Sequence, residues 1–78
     1  MSKADEMFEK LGYDEKHYYK EVELYRNSKK CNCIQFDTFN KTFCKFNEDD
    51  SADILDFSMQ ELQAINEKVK ELGWNENN

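Results

Sequence analysis

The chain has no proline and only two glycines among its 78 residues, so it lacks the composition of a flexible interdomain linker. It also has no apolar run near the roughly 20 residues that span a bilayer, and its N-terminus has a charged helical pattern rather than that of a signal peptide. These absences predict one small domain, residues 1–78, in the cytoplasm. A chain of this length buries only about 60–65% of its unfolded surface, so its core is small.

Basic residues are scarce as well, with 11 Lys and Arg against 17 Asp and Glu and a net charge of -6. This balance argues against direct binding to nucleic acid or to anionic membranes, and it favours either plain solubility or a basic partner. The three cysteines are an odd number in a chain without a secretion signal. They are therefore expected to be reduced thiols rather than a disulfide framework.

The clearest pattern that is present predicts a helix from Ser58 to Trp74. Ser58 and Glu61 form a capping box, because each side chain can bond the backbone N–H of the other. Gly73 predicts a left-handed end, after which Trp74 folds back towards Val69. The apolar stripe expected to face the core is Met59, Leu62, Ile65, Val69 and Leu72.

Shorter versions of the same signals open the chain. Ser2 with Asp5 predicts the start of a first helix, and Gly12 predicts its end, with Tyr13 folding back towards Phe8. Its apolar stripe comprises Ala4, Met7, Phe8 and Leu11.

The middle of the chain has the two-residue alternation of strands. Strands are predicted at His17 to Arg26, Cys31 to Asp37 and Thr42 to Asn47, with a short fourth strand at Ala52 to Phe57. Short polar connections favour antiparallel neighbours. The predicted fold is therefore α+β: an antiparallel meander of three to four strands with an N-terminal and a C-terminal helix packed on one face.

The core faces of these strands are read from the same alternation. Val22 and Leu24 alternate with Glu21 and Glu23, which predicts a half-buried strand whose apolar side is Val22 and Leu24. In the next strand Ile34 and Phe36 share a face. In the third, Phe43 opposes Cys44 and Phe46, so either face can be the core face.

Three cysteines and one histidine offer the ligand types of a Cys3His zinc site: Cys31, Cys33, Cys44 and His17. Only one residue separates the first two cysteines, whereas structural zinc sites usually place about two to four between paired cysteines. A strand also provides no turn to wrap a metal. Free thiols on strands are the preferred interpretation, a zinc site is the weak alternative, and no cofactor is predicted.

An acidic segment, defined as residues 48–56, holds five carboxylates in nine positions. Counted from Asp49 it begins like a calcium-binding loop, but Ile54 replaces the glycine and Gln60 replaces the glutamate that such a loop requires. Two interpretations stay open, a solvated loop and an acidic surface that meets a basic groove on another protein. The predicted contact residues are Glu48, Asp49, Asp50, Asp53 and Asp56.

No catalytic constellation is evident. His17 cannot be paired with a nucleophile from the sequence, no phosphate-cradling glycine loop is present, and a domain of this size can rarely spare a pocket. The chain is not expected to be an enzyme. Its tyrosines and phenylalanines are expected to pack in the core and on the sheet, because single-strand binding also requires a basic track.

The two helical segments ADEMFEKLGY and SMQELQAINEKVKELGW, around a strand-rich middle with the turn FNKTF, resemble small uncharacterised proteins of phages and prophages of Gram-positive bacteria. The resemblance covers most of the chain in pattern and is strongest in the helices, whose motifs serve capping and packing. It transfers no catalytic residue.

The resemblance implies a non-enzymatic accessory protein that binds a host protein in the cytoplasm of the host cell. Its sharpest form is an acidic inhibitor of a nucleic-acid-binding defence nuclease, as anti-CRISPR proteins are. The alternative is a self-associating structural or regulatory protein with no nuclease target. The oligomeric state, monomer or homodimer, is left open.

Overall fold

The structure, a computed structural model, describes residues 2–48 and 56–74. Its elements in chain order are α1 (Lys3–Lys10), β1 (Glu15–Tyr19), β2 (Val22–Asn27), β3 (Asn32–Asp37), β4 (Thr42–Asn47) and α2 (Met59–Leu72). The four strands form one antiparallel sheet in the order β1-β2-β3-β4, and both helices pack on the same face of it. The predicted α+β meander with two flanking helices is confirmed.

The boundaries of the four strands differ from the predicted ones. The pattern predicts one strand from His17 to Arg26, but Lys20 and Glu21 form a turn that divides it into β1 and β2, with Tyr19 paired to Val22 across the turn. The turn has neither Asn nor Gly, so its usual signal is missing. The strand predicted at 52–57 falls mostly outside the described residues, and its last two residues, 56 and 57, are not in a strand.

The other two hairpins share one geometry. In each, the side-chain oxygen of the last strand residue, Asn27 or Asp37, accepts hydrogen bonds from two backbone N–H groups of the loop. The last loop residue, Cys31 or Lys41, then takes a left-handed φ of 56° or 58°. The side-chain bonds therefore stabilise turns that contain no glycine.

The core lies between the sheet and the helices. Phe8 of α1 stacks on Tyr25 with ring centroids 4.1 Å apart and meets Phe36 edge-on at 6.1 Å. Burial of each such ring is worth about 1.5–3 kcal/mol. The buried cluster consists of Phe8, Tyr13, Tyr25, Ile34, Phe36, Ala64 and Ile65.

The face of β2 that packs against the helices is not the predicted one. Tyr25 is 2% exposed and belongs to the core, whereas Val22 and Leu24 are only half-buried and lie on the opposite face of the sheet. We call this opposite face, which the helices do not cover, the outer face. In β3 the predicted pair Ile34 and Phe36 is buried in the core, as expected.

The helix α2 presents a different stripe to the core than the pattern predicts. Ile65 is buried and Val69 and Leu72 pack against the core as expected, but Met59 is 67% exposed and Leu62 is 40% exposed. The prediction for these two residues is wrong. The side of the helix that faces the sheet in these turns is formed instead by Glu61, which bonds Tyr13, and by the buried Ala64.

Ala64 and Lys68 complete the buried side of α2. Lys68 is 4% exposed, and its Nζ donates to Glu23 Oε1 on β2 at 2.8 Å. This ion pair orients the helix. An apolar pattern cannot reveal it, because the partner lies 45 residues away in the chain.

The predicted helix ends are confirmed. Ser58 Oγ accepts from the Glu61 N–H at 3.0 Å while Glu61 Oε1 accepts from the Ser58 N–H at 2.8 Å, which is the capping box. The Trp74 N–H donates to the Val69 carbonyl at 3.1 Å behind a left-handed Gly73. The first helix closes likewise, through a bond of 3.0 Å from the Tyr13 N–H to the Phe8 carbonyl.

Candidate functional site

The first predicted contact residue, Glu48, follows β4 and is already engaged. Its Oε1 accepts from Arg26 Nε at 2.6 Å, and Arg26 Nη1 donates to Glu15 Oε2 at 2.7 Å. Glu48 thus belongs to an ion-pair cluster that crosses the outer face. Three predicted contact residues lie outside the described residues: Asp49, Asp50 and Asp53.

The last residue of the acidic segment, Asp56, is exposed and is held in place by its backbone. Its carbonyl accepts from Lys45 Nζ at 2.7 Å, and the same ammonium lies 3.0 Å from Glu61 Oε2. The Lys45 side chain is only 9% exposed as a result. The end of the acidic segment is therefore anchored to both β4 and α2.

Glu61 is the centre of this anchor. Burial raises the pKa of its carboxyl, but hydrogen bonds from Tyr13, the Ser58 N–H and Lys45 outweigh burial and hold the pKa below its ordinary value. Tyr13 Oη donates to Glu61 Oε2 at 2.5 Å, and burial together with this bond raises the pKa of Tyr13. Glu61 is thus a structural anion that joins α2, β4 and the segment after α1.

Beside this anchor lies a group of exposed apolar residues that we call the apolar patch. The rings of Phe43 and Phe57 are in contact, with centroids 6.1 Å apart, and they are 42% and 43% exposed. Met59 and Leu62 follow in the first turns of α2, 67% and 40% exposed. The contacting rings of Phe43 and Phe57, with Met59 and Leu62 close to Phe57 in the chain, are candidates for an interaction surface.

The sequence interpretation missed the apolar patch, although one signal for it existed. Phe57 directly precedes the cap residue Ser58, and Leu62 is the fourth residue of the helix. These are the two positions that a hydrophobic staple occupies. A staple pairs its residues with each other at the helix start. Leu62 therefore did not need to belong to the buried stripe.

Further exposed aromatic residues lie beside the β1–β2 turn and in the β3–β4 loop, at the end of the sheet that also holds Phe43. Tyr18 and Tyr19 are 68% and 72% exposed, but Lys16 Nζ lies 4.9 Å from the Tyr18 ring and Lys20 Nζ 5.9 Å from the Tyr19 ring. Phe39, 75% exposed, lies in the β3–β4 loop. Along the strands this end lies away from Glu48, and its tyrosine rings have cationic neighbours, as Phe57 has in Lys45 Nζ at 5.6 Å.

The four weak zinc-ligand candidates do not form a metal site. Cys31 lies in the β2–β3 turn, Cys33 is buried, Cys44 is exposed on β4, and all three thiols are free. His17 is exposed on β1, with Nε2 2.9 Å from Glu15 Oε1. Within residues 2–48 and 56–74, no three His, Cys, Asp or Glu side chains are grouped so as to hold a metal ion.

The buried thiol of Cys33 is poorly suited to chemistry. Cys33 is 1% exposed and is flanked on the outer face by Arg26 and Phe46, its register partners. Burial, with a contribution from the charge of Glu48, raises the pKa of the thiol to about 11. The thiolate that a nucleophile requires is therefore scarce at neutral pH.

A cleft of about 220 Å³ between α1 and β1 contains polar residues that already satisfy one another. Asp5 accepts from Tyr25 Oη at 2.5 Å and from Lys16 Nζ at 2.9 Å. Burial raises the pKa of Asp5, but these two hydrogen bonds outweigh burial and the pKa lies below its ordinary value. An acid or base working near neutral pH needs the opposite shift.

The same polar contacts continue across the sheet. Lys16 Nζ lies 3.6 Å from Glu23 Oε1, and Glu23 in turn accepts from Lys68. Charges thus alternate from Asp5 on α1 through β1 and β2 to Lys68 on α2. We call this set the ionic network; it joins both helices to the sheet and explains the cleft as a structural feature.

No helix in the described part of the chain is both long and apolar enough to cross a membrane. No protein-family model, curated protein or solved structure matches the chain. The function is therefore inferred from the geometry of the surface and from the sequence.

Proposed function

We propose that this chain is a non-enzymatic protein that binds another protein through the apolar patch and the acidic segment beside it. The observation that supports this most directly is the patch itself. Phe43, Phe57, Met59 and Leu62 are between 40% and 67% exposed, although the chain has few large apolar residues to spare from a small core. Covering these side chains with a partner removes apolar surface from water.

The charges around the patch define the partner. The acidic segment contains five carboxylates within nine positions, and the chain as a whole carries a net charge of -6. Lys45, whose Nζ lies 5.6 Å from the Phe57 ring, has its ammonium bound to Glu61 and the Asp56 carbonyl. The partner that fits is a protein with an apolar pocket bordered by Lys and Arg, because opposite charges steer the encounter and set its register.

The resemblance to phage and prophage proteins gives this proposal its sharpest form. A basic groove with apolar pockets is the type of surface that a nuclease offers to nucleic acid. An acidic protein bound there competes with phosphates for the same Lys and Arg side chains. In this form the chain is an inhibitor of a host defence nuclease, acting in the cytoplasm of the host cell.

The patch is tested by the double variant Met59→Ser with Leu62→Ser. Both residues are exposed, so the fold should persist while capture of the partner from a host lysate, quantified by mass spectrometry, is lost. Asn66→Ser, also exposed on α2, is the matched control and should capture as wild type does. Equal capture by the double variant and wild type would remove the patch from the proposal.

The acidic segment is tested by reversing Asp49, Asp50 and Asp53 to Lys. We expect capture and inhibition of purified candidate nucleases to fall. The control reverses three acids outside the segment, Glu6, Glu9 and Glu21, which are all exposed. Equal losses in both variants would show that capture depends on the net charge of the chain and not on the acidic segment. No loss in either variant would exclude the segment from the contact.

A further inference from the structure

The peptide groups on the two sides of Phe57 are bound to the two members of a single ion pair. The carbonyl of Asp56, which precedes Phe57, accepts from Lys45 Nζ at 2.7 Å. The N–H of Ser58, which follows it, donates to Glu61 Oε1 at 2.8 Å. Lys45 and Glu61 are bound to each other, with Nζ 3.0 Å from Oε2. The ion pair therefore holds the backbone on both sides of Phe57.

The ion pair itself is firmly placed. The side chains of Lys45 and Glu61 are only 9% and 12% exposed. Lys45 belongs to β4 and Glu61 to the first turn of α2, where Tyr13 Oη also donates to its carboxylate. Water and salt screen a covered pair much less than an exposed one. The pair is thus a fixed point to which the chain at Phe57 is attached.

The position of the Phe57 ring follows from this attachment. Phe57 lies outside the helices and strands, so no regular ladder of backbone hydrogen bonds sets its conformation. Its ring meets that of Phe43 edge-on, with centroids 6.1 Å apart and planes at 79°. The ammonium of Lys45 lies 5.6 Å from the centroid of the same ring, within the range of a cation–π contact. Lys45 thus touches both the backbone and the ring.

We propose that Lys45 is the positioning residue of the apolar patch: with Glu61 it fixes Phe57 on Phe43 and so gives the patch the shape that a partner meets. Its effect on binding rests on the protein-binding function proposed above. Lys45 itself offers a partner almost no surface, because it is covered. Fixing the backbone before binding spares the complex this loss of conformational entropy.

Nuclear Overhauser effects between aromatic rings test the positioning without a partner. Lys45→Met has a side chain of similar length without the ammonium, so the effect between Phe43 and Phe57 should weaken or vanish. The effect between Phe8 and Tyr25, whose rings stack at 4.1 Å in the core, should persist and shows that the variant is folded. Lys45→Arg, which keeps a cationic donor, should retain both effects. An undiminished Phe43–Phe57 effect in folded Lys45→Met would overturn the proposal.

Two further variants complete this test. Glu61→Gln breaks the same ion pair from α2 and should weaken the same ring contact, so the result does not depend on the folding of one variant. Lys70→Met is the matched control, because it makes the same change in net charge at a lysine whose side chain is 65% exposed. It should leave the ring contact as in wild type. Equal weakening by Lys70→Met would assign the change to net charge and contradict the positioning role.

A double-mutant cycle tests whether Lys45 acts on binding through Phe57. In calorimetric titration of the partner protein purified by capture, Lys45→Met should bind about five- to thirtyfold more weakly than wild type. In a Phe57→Ala background the same substitution should have little effect, because no ring is left to position. An equal loss in both backgrounds would show that Lys45 acts by another route.

Failure of this inference can be told from failure of the proposed function. If the wild-type chain captures no partner, the protein-binding function fails, whereas the effects between the rings still decide whether Lys45 positions Phe57. If the wild type and folded Lys45→Met bind the partner equally well, the patch keeps its function and the positioning role is excluded.

Discussion

The backbone at Lys20 shows how a single residue can carry a structural cost. Lys20 takes a φ of 55° in the turn between β1 and β2, a region that costs a side chain roughly 1 kcal/mol and glycine almost nothing. We expect Lys20→Gly to raise the free energy of unfolding by about 0.5–1 kcal/mol. Urea denaturation measures this directly.

Lys29→Gly is the matched control for this change. Lys29 also lies in a hairpin loop, but it is not among the residues with positive φ. Glycine there only adds freedom to the unfolded chain, so stability should fall slightly. If Lys20→Gly behaves as Lys29→Gly does, the left-handed turn residue is not a source of strain.

Single residues also limited what the sequence could reveal. The turn at Lys20 and Glu21 contains two ordinary charged residues, so nothing marked it as a break in the strand. The burial of Lys68 was equally hidden, because it depends on Glu23, a residue whose position next to α2 exists only in the fold. Capping was predictable, since Ser58 and Glu61 act over three residues of chain.

At the scale of elements, α2 offers a direct comparison between two apolar residues three positions apart. Ile65 is 1% exposed and Leu62 is 40% exposed. Ile65→Ala leaves a cavity in the core and should cost about 2–4 kcal/mol of unfolding free energy. Leu62→Ala should cost less than about 1 kcal/mol, because water already reaches the side chain.

Chemical denaturation of the two variants distinguishes the observed stripe from the one predicted by periodicity, which treats both residues as core. Equal losses would return Leu62 to the core and would remove it from the apolar patch. The expected difference is large enough to move the melting temperature of a domain of this size by several degrees.

The arrangement of elements also explains why the proposed contact surface was only partly predictable. The acidic segment was evident as a run of carboxylates, but Glu48 is paired to Arg26, a residue that strand register brings to it. The apolar patch combines Phe43 from β4 with Phe57 and α2. These residues are brought together by the pairing of the strands and by the hydrogen bond from Lys45 to the Asp56 carbonyl, which places Phe57 beside β4.

At the scale of the whole molecule, the free energy of unfolding should fall as the solution is acidified. In the folded chain the carboxyls of Asp5 and Glu61 both have pKa values below their ordinary values, because hydrogen bonds and nearby ammonium groups outweigh burial. A carboxyl with a lowered pKa in the folded state contributes stability above its unfolded pKa, and this contribution is lost as the pH falls through the folded value. We therefore expect a plateau near neutral pH and a decline below about pH 4.5.

Asp5→Asn and Glu61→Gln should lower the unfolding free energy at neutral pH by about 1–3 kcal/mol each, because each removes charge-assisted hydrogen bonds. Both should also flatten the acid decline. Glu9→Gln, a change at an exposed position, is the control and should alter neither. A decline of unchanged steepness in both variants would assign the acid sensitivity to other groups.

The whole molecule combines a structural interior with a proposed contact surface at one corner. The ionic network and the Glu61 anchor satisfy the buried charges, so these groups serve the fold. The residues that we propose for a partner are the apolar patch and, in the acidic segment, Asp49, Asp50, Asp53 and Asp56, because Glu48 is bound to Arg26. Binding of another protein through this corner is the function that we propose.

The most direct test is calorimetric titration of the captured partner with wild-type chain and with the Met59→Ser, Leu62→Ser double variant. We predict that the double variant binds at least about tenfold more weakly, a loss of about 1.4 kcal/mol. Its melting curve should stay close to that of wild type. Binding of the folded double variant with wild-type affinity would contradict the proposed contact surface.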